Sequence, residues 1–136
     1  MAQRKPPAPE EVARLTLEAI SARDWDAVRR HFHPDAEWHN TRDFPGPAVC
    51  RGIDEIVEFW RNLFDSFTGA MELERVKAED GLVIHGIRSL SAGKASGVPI
   101  DVSWAVAYRV RDGLVVRADV FGGFDRAAKA LGLAPG

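Results

Sequence analysis

Residues 100–123 read IDVSWAVAYRVRDGLVVRADVFGG, two apolar-rich runs joined by one turn signal, and their pairing decides the fold. Asp112-Gly113 alone could close a two-residue turn, but an unbroken ladder from it would set Tyr108 against Arg117 and Val106 against Asp119. A three-residue loop, Arg111 to Gly113 with Gly113 left-handed, shifts the pairing by one. Val106 then faces Ala118, Tyr108 faces Val116 and Trp104 faces Val120. One face carries Val102, Trp104, Val106, Tyr108, Val116, Ala118 and Val120. The other carries Asp101, Ser103, Ala105, Ala107, Arg109, Arg117, Asp119 and Phe121. A slip of one residue exchanges the faces, so the apolar pattern favours the longer loop.

At 136 residues the chain is long enough for one domain with its own core. Its 46% hydrophobic and 28% charged residues are ordinary for a globular protein. A net charge of −2, with no basic stripe, gives no reason to expect nucleic acid as a partner. A single cysteine, Cys50, excludes an intramolecular disulfide and fits a reducing compartment. It is read as a small semi-buried apolar residue rather than a nucleophile. No apolar run reaches the length of a membrane span, and the N-terminus lacks an apolar signal core. The expected location is the cytoplasm.

Residues 1–9, with Pro6, Pro7 and Pro9, read as a disordered lead-in to one domain over residues 10–136. A first helix is expected from Glu10 to Ala22, with Val12, Leu15, Ala19 and Ile20 on one stripe. Asp24 caps a second helix, ended by Pro34. Ala36 to Asn40 is a short strand with Trp38 and Asn40 on one side and Glu37 and His39 on the other. Thr41 to Arg51 is a loop, and Ile53 to Phe67 a third helix with a broad apolar face that includes Trp60, Leu63 and Phe64. Met71 to Ala78 and Leu82 to Ser91 form a second hairpin around Glu79-Asp80-Gly81. Asp125 caps a last short helix, Arg126 to Leu131, closed by Gly132. Helices first and antiparallel strands after make an α+β fold: a strongly curved, mostly antiparallel sheet with three helices on its concave face.

The strings RDWDAVRRHFHPDAEW, RGIDEIVEFW, ASGVPIDV, RVRDGLVVRADVF and AAKALGL, in that order, resemble the SnoaL-like branch of the nuclear transport factor 2-like superfamily. The resemblance implies a cone-shaped roll around a pocket for a small, mostly apolar molecule, and it favours dimers. It does not by itself imply a reaction. Ketosteroid isomerases of this superfamily use a Tyr and two Asp, whose places fall on Thr16, Asn40 and Val106. SnoaL-like cyclases use a His and an Asp, which fall on Val106 and Val120. Limonene epoxide hydrolases use an Asp that again falls on Val120. None of these machineries is intact in this sequence.

The remaining candidates follow from strand parity together with the resemblance. Trp38, Trp60, Ile87, Ser89, Trp104, Val106, Ala118 and Val120, with Thr16, are expected to line the pocket. His85 and Asn40 are the candidate catalytic groups, His85 because imidazole titrates near neutral pH. The alternative is a neutral buried His85 bonded to Asn40 or Ser89. His31, His33 and His39 are not placed with a carboxylate in ligand geometry, so neither a metal nor another cofactor is expected. With no Lys or Arg placed inside, the pocket is expected to prefer neutral, flat, apolar ligands and reject anions. Polyketide-, terpenoid- or steroid-like molecules are the implied class, with proton transfer if the protein is an enzyme. A non-catalytic binding or assembly module is the alternative. The outer sheet face, with Ala105, Ala107, Arg109, Arg117, Asp119 and Phe121, is the expected homodimer contact.

Overall fold

The computed structural model describes residues 6–42 and 46–133. Its elements run α1 (Pro9–Ser21), α2 (Trp25–His31), β1 (Phe32–His39), β2 (Val49–Arg51), α3 (Ile53–Ser66), β3 (Phe67–Glu79), β4 (Leu82–Gly93), β5 (Pro99–Arg111), β6 (Leu114–Phe121) and α4 (Phe124–Ala130). The six strands make one curved, unclosed sheet in the order β2-β1-β6-β5-β4-β3. All neighbours are antiparallel except β1 and β6, which run parallel.

The central hairpin forms, but in another register than the apolar pattern suggests. Asp112 and Gly113, with φ of 52° and 78°, make a two-residue turn in which both central residues are left-handed. Arg111 pairs with Leu114 and Val110 with Val115, and then the ladder shifts so that Arg109 pairs with Arg117. Val116 is the extra residue of a β-bulge. Beyond it Tyr108 lies opposite Ala118 and Val106 opposite Val120, not Ala118 as expected. Trp104 has no β6 partner, because that ladder begins at Ala105 and Phe121. The bulge supplies the one-residue shift that was assigned to the loop. For that reason most of the inner face holds although the partners differ: Trp104, Val106, Tyr108, Ala118 and Val120 belong to the main core, whereas Val116, expected there opposite Tyr108, is only half-buried and Val115 takes the core position. The β3–β4 hairpin repeats the device, with Asp80 and Gly81 at φ of 49° and 82° and a ladder shift between Leu73 and Arg75.

Three local expectations change. Pro34 does not end α2, which already stops at His31; Pro34 lies within β1, where the ladder to β6 is irregular between Phe32 and Glu37. Lacking an N–H, a proline is tolerated at such a break. Val49–Arg51, read as loop, pairs with β1 as the sheet's short edge, Cys50 opposite Trp38. Asp125 does not cap α4, which starts at Phe124 after Gly123; its Oδ1 instead accepts from Arg75 Nη1 at 3.2 Å. The Asp24 cap does form, accepting from the Ala27 N–H at 3.2 Å. At the N-terminus, Pro9 already belongs to α1, and Pro6 and Pro7 pack beside Gly113 at the tip of the central hairpin.

Helices α1, α2 and α3 cover the concave side. Val12, Ile20, Val28, Ile56, Val57 and Trp60 pack there against Trp38, Val83, Ile87, Val106 and Tyr108. The fourth helix lies on the opposite face, where Phe124, Ala127 and Ala128 form a smaller core with Leu82, Ile84, Ala105 and Ala107. The small outer-face residues expected at a subunit contact are therefore buried within the chain, with Ala105 and Ala107 at 0% and 1% exposure. Gly86 permits this close approach, because a Cβ there would sit 3.2 Å from the Phe124 ring.

Candidate functional site

Between the end of α3 and the start of β3, over the open ends of β4 to β6, lies a cavity of about 520 Å³. Its floor and sides are Trp60, Leu63 and Phe64 from α3, Phe67 to Met71 from β3, and Ile100, Val102 and Trp104 from β5. Val120, Phe121 and Gly122 close it at the end of β6. The three-four spacing of Trp60, Leu63 and Phe64 puts them on one helical stripe, and strand parity sends Ile100, Val102 and Trp104 to one face. Polar handles are few: Thr41, Thr68, Ser89, Ser91, Ser103 and Arg126.

The walls are set by ring packing. Trp60 is the hub, edge-on to Trp38 at 5.3 Å, beside Phe64 at 5.6 Å and facing Trp104 at 6.4 Å. Trp104 is fixed from its other side, since its Nε1–H donates to Ser89 Oγ at 2.9 Å. The Trp60 Nε1–H is buried without an acceptor among the described residues.

Of the residues expected to line the interior, Trp60, Ser89, Trp104 and Val120 stand on this cavity. Trp38, Val106 and Ala118 do not; each is 0% exposed in the packed core beneath it. Aromatic rings fill that narrow end, with Trp38 tilted against Phe59 at 6.4 Å and edge-on to Tyr108 at 6.3 Å. Thr16 is also buried, and its Oγ1 donates to the Val12 carbonyl one turn back along α1. Ile87 belongs to the core and borders a separate groove on the outer side.

The two candidate catalytic groups are placed as structural ones. Asn40 accepts from Trp38 Nε1–H through Oδ1 and donates through Nδ2 to the Pro47 carbonyl, both at 2.8 Å. Its amide is thus committed to holding the Trp38 indole and the approach to β2. His85 is 1% exposed, with Val76 and Val106 on the neighbouring strands and Tyr108 edge-on at 5.4 Å. Its Nδ1 has no partner among the described residues, so it bonds neither Asn40 nor Ser89. Burial pushes its pKa down to about 4, which keeps the ring neutral. Cys50 is buried as well, and burial raises its thiol to about 11.

The residue that sequence reasoning missed is Arg126. It is the only ionisable side chain among the described residues on the cavity wall, against the expectation of no cation there. Its guanidinium lies beside Gly122, where an added Cβ would make no more than ordinary contact with Nη1, at 3.4 Å. A second groove, about 460 Å³ on the outer side, shares Ser103, Trp104, Gly122 and Arg126 with the cavity. Its other polar groups are mostly engaged with one another. Arg75 pairs with Asp125 and lies 4.0 Å above the Phe124 ring, and Ser103 Oγ donates to Glu74 at 3.2 Å. The apolar cavity is therefore the candidate site. Among the described residues no cluster of His, Cys, Asp or Glu could hold a metal, and no helix is long and apolar enough to cross a membrane.

This arrangement, an unclosed curved sheet with helices on its concave face and a cavity at the wide end, defines a nuclear transport factor 2-like fold. The SnoaL-like domain family matches residues 13–118, and the chain belongs to that family. Solved structures agree in fold. A SnoaL-like polyketide cyclase candidate from Jannaschia sp. CCS1 is 20% identical, with 98% of this chain and 100% of that one covered and a TM-score of 0.75. A nuclear transport factor 2-like protein from Burkholderia xenovorans LB400 is 15% identical, covering 83% and 87%, also at 0.75. TerC, co-crystallized with polyporic acid, is 16% identical, covering 91% and 98%, again at 0.75. Among curated proteins none matches this sequence.

Proposed function

We propose that the protein binds a small, flat, largely apolar molecule of polyketide, terpenoid or steroid-like type in the cavity beside Trp60 and Trp104. The observation that carries this reading is a cavity of about 520 Å³ walled by rings and aliphatic side chains. Flat rings gain both buried area and offset or edge-on contacts against such indoles. The likeness to a protein co-crystallized with polyporic acid and to a polyketide cyclase candidate supports the same ligand class. Native mass spectrometry of protein purified from its own host tests it. A non-covalent small molecule, released on denaturation, is expected. Its absence, together with failure to bind any polycyclic ketone, would contradict the reading.

Proton-transfer chemistry on the bound molecule is the second reading, favoured by the same cyclase likeness. No carboxylate or imidazole stands on the cavity wall among the described residues, and the geometry supports binding more directly than catalysis. We also propose a homodimer, formed by the outer face that α4 leaves uncovered around Arg117 and Asp119. Sedimentation at micromolar concentration tests it, and a monomer throughout would contradict it.

A further inference from the structure

Arg126 is out of place in a site built for neutral molecules. It projects from the first turn of α4 onto an apolar wall, beside Gly122, where the cavity and the outer groove meet. The neighbouring arginine, Arg75, is neutralised by Asp125, whereas Arg126 has no carboxylate partner among the described residues. An exposed guanidinium at the mouth keeps most of its hydration, so it costs little there. An anionic group on a ligand could meet it without being carried into the aromatic interior, where an unpaired charge would lose its water.

We propose that Arg126 makes the cavity select flat aromatic molecules bearing one anionic oxygen group, such as a carboxylate, over their neutral analogues. The inference rests on the binding reading above and specifies its ligand. The ring system lies between Trp60, Phe64 and Trp104, and the acidic group points out past Gly122. The planar guanidinium suits a carboxylate because two parallel N–H donors can meet its two oxygens. Ser103, on both cavity and groove, is the nearest wall hydroxyl in sequence to Trp104 but already donates to Glu74. Arg126 is thus left as the group that discriminates charge.

The test uses the full chain and two probes, 9-fluorenone and 9-fluorenone-2-carboxylate, read by quenching of tryptophan fluorescence at low salt. The carboxylate is expected to bind about two- to five-fold tighter, the range of an exposed ion pair. Arg126→Gln should bring the ratio of the two affinities towards one. Arg126→Glu should invert it, and Arg75→Gln should leave the ratio as in the parent. Circular dichroism of each variant reports whether it is folded, and the charge reversal provides a readout that partial unfolding cannot mimic. Equal affinities in the parent, or a ratio unaffected by Arg126→Gln, would overturn the inference while leaving the binding reading intact. Failure of both probes to bind would overturn the inference, and the binding reading falls as well only if native mass spectrometry also finds no retained small molecule.

Discussion

Trp104 and Ser89 are joined diagonally across β4 and β5 by a 2.9 Å bond from the indole N–H to the serine oxygen. Their direct cross-strand partners are Ile87 and Val102 respectively, so the bond ties two residues that strand pairing alone would leave apart. It fixes the plane of one cavity wall. Ser89→Ala should cost about 1 kcal/mol of stability, the usual net worth of such a bond. It should also shift Trp104 emission and weaken binding of a flat ligand. Denaturant unfolding with parallel fluorescence spectra checks this; unchanged stability and spectrum would show that the bond is not formed in solution.

Trp38 and Trp104 should respond differently to truncation. Trp38 is 0% exposed between Phe59, Trp60 and Tyr108, so Trp38→Ala should cost about 3–5 kcal/mol. Trp104→Ala opens the cavity wall instead, and should lose less stability than Trp38→Ala but more ligand affinity. Chemical unfolding paired with a binding titration separates the two. A larger stability loss for Trp104 would reverse the assignment of core and wall.

Asn40 is a bracket between Trp38 and Pro47, so its amide needs both ends. Asn40→Asp keeps an acceptor for the indole but sets a carboxylate against the Pro47 carbonyl in place of a donor. A loss of about 1 kcal/mol is expected, the usual net worth of one hydrogen bond, because Asn40 is half-buried and Pro47 exposed. Thermal unfolding measures it. A gain in turnover of a ketone substrate with stability unchanged would instead favour a catalytic role at this position.

His85 carries a pH signature. Its folded pKa is pushed down to about 4 by burial, below the 6.5 of a free imidazole. Between those values the unfolded chain binds more protons than the folded one, so acid favours unfolding. The stability due to the neutral ring is complete above about pH 6.5, is lost progressively as pH falls to about 4, and falls no further below that. The swing is about 3 kcal/mol. Urea unfolding from pH 7 to pH 4 should show it, and His85→Leu should flatten that part of the profile. Equal slopes in both proteins would place His85 in contact with water.

Much of this was legible in the chain. The alternation in residues 100–123 separates the faces because a buried concave side tolerates only apolar residues in that parity, whatever the turn. The turn itself was misassigned because a bulge at Val116 and a longer loop produce the same parity. Sequence pattern alone cannot distinguish a residue added in the turn from one added in the strand. The cavity was only partly legible. Trp60, Ser89, Trp104 and Val120 are on its wall, but Trp38, Val106 and Ala118 share their face and lie deeper. Parity says which side a residue takes, not how far along the cone the rings of Trp38, Phe59 and Tyr108 fill it. Arg126 was missed because it belongs to a helix on the other face, and reaches the cavity around the end of β6.

The four tryptophans occupy three different settings, which allows one direct measurement of the binding account. Trp60 and Trp104 face the cavity, Trp38 is enclosed in the core, and Trp25 packs against Phe64 from α2 at 6.0 Å. In a proton–nitrogen correlation spectrum each indole N–H gives its own peak, assignable by single Trp→Phe variants. Titration with 9-fluorenone-2-carboxylate should move the Trp60 and Trp104 peaks most and leave Trp38 nearly still. Saturable shifts confined to Trp25 or Trp38, with Trp60 and Trp104 unmoved, would contradict the account.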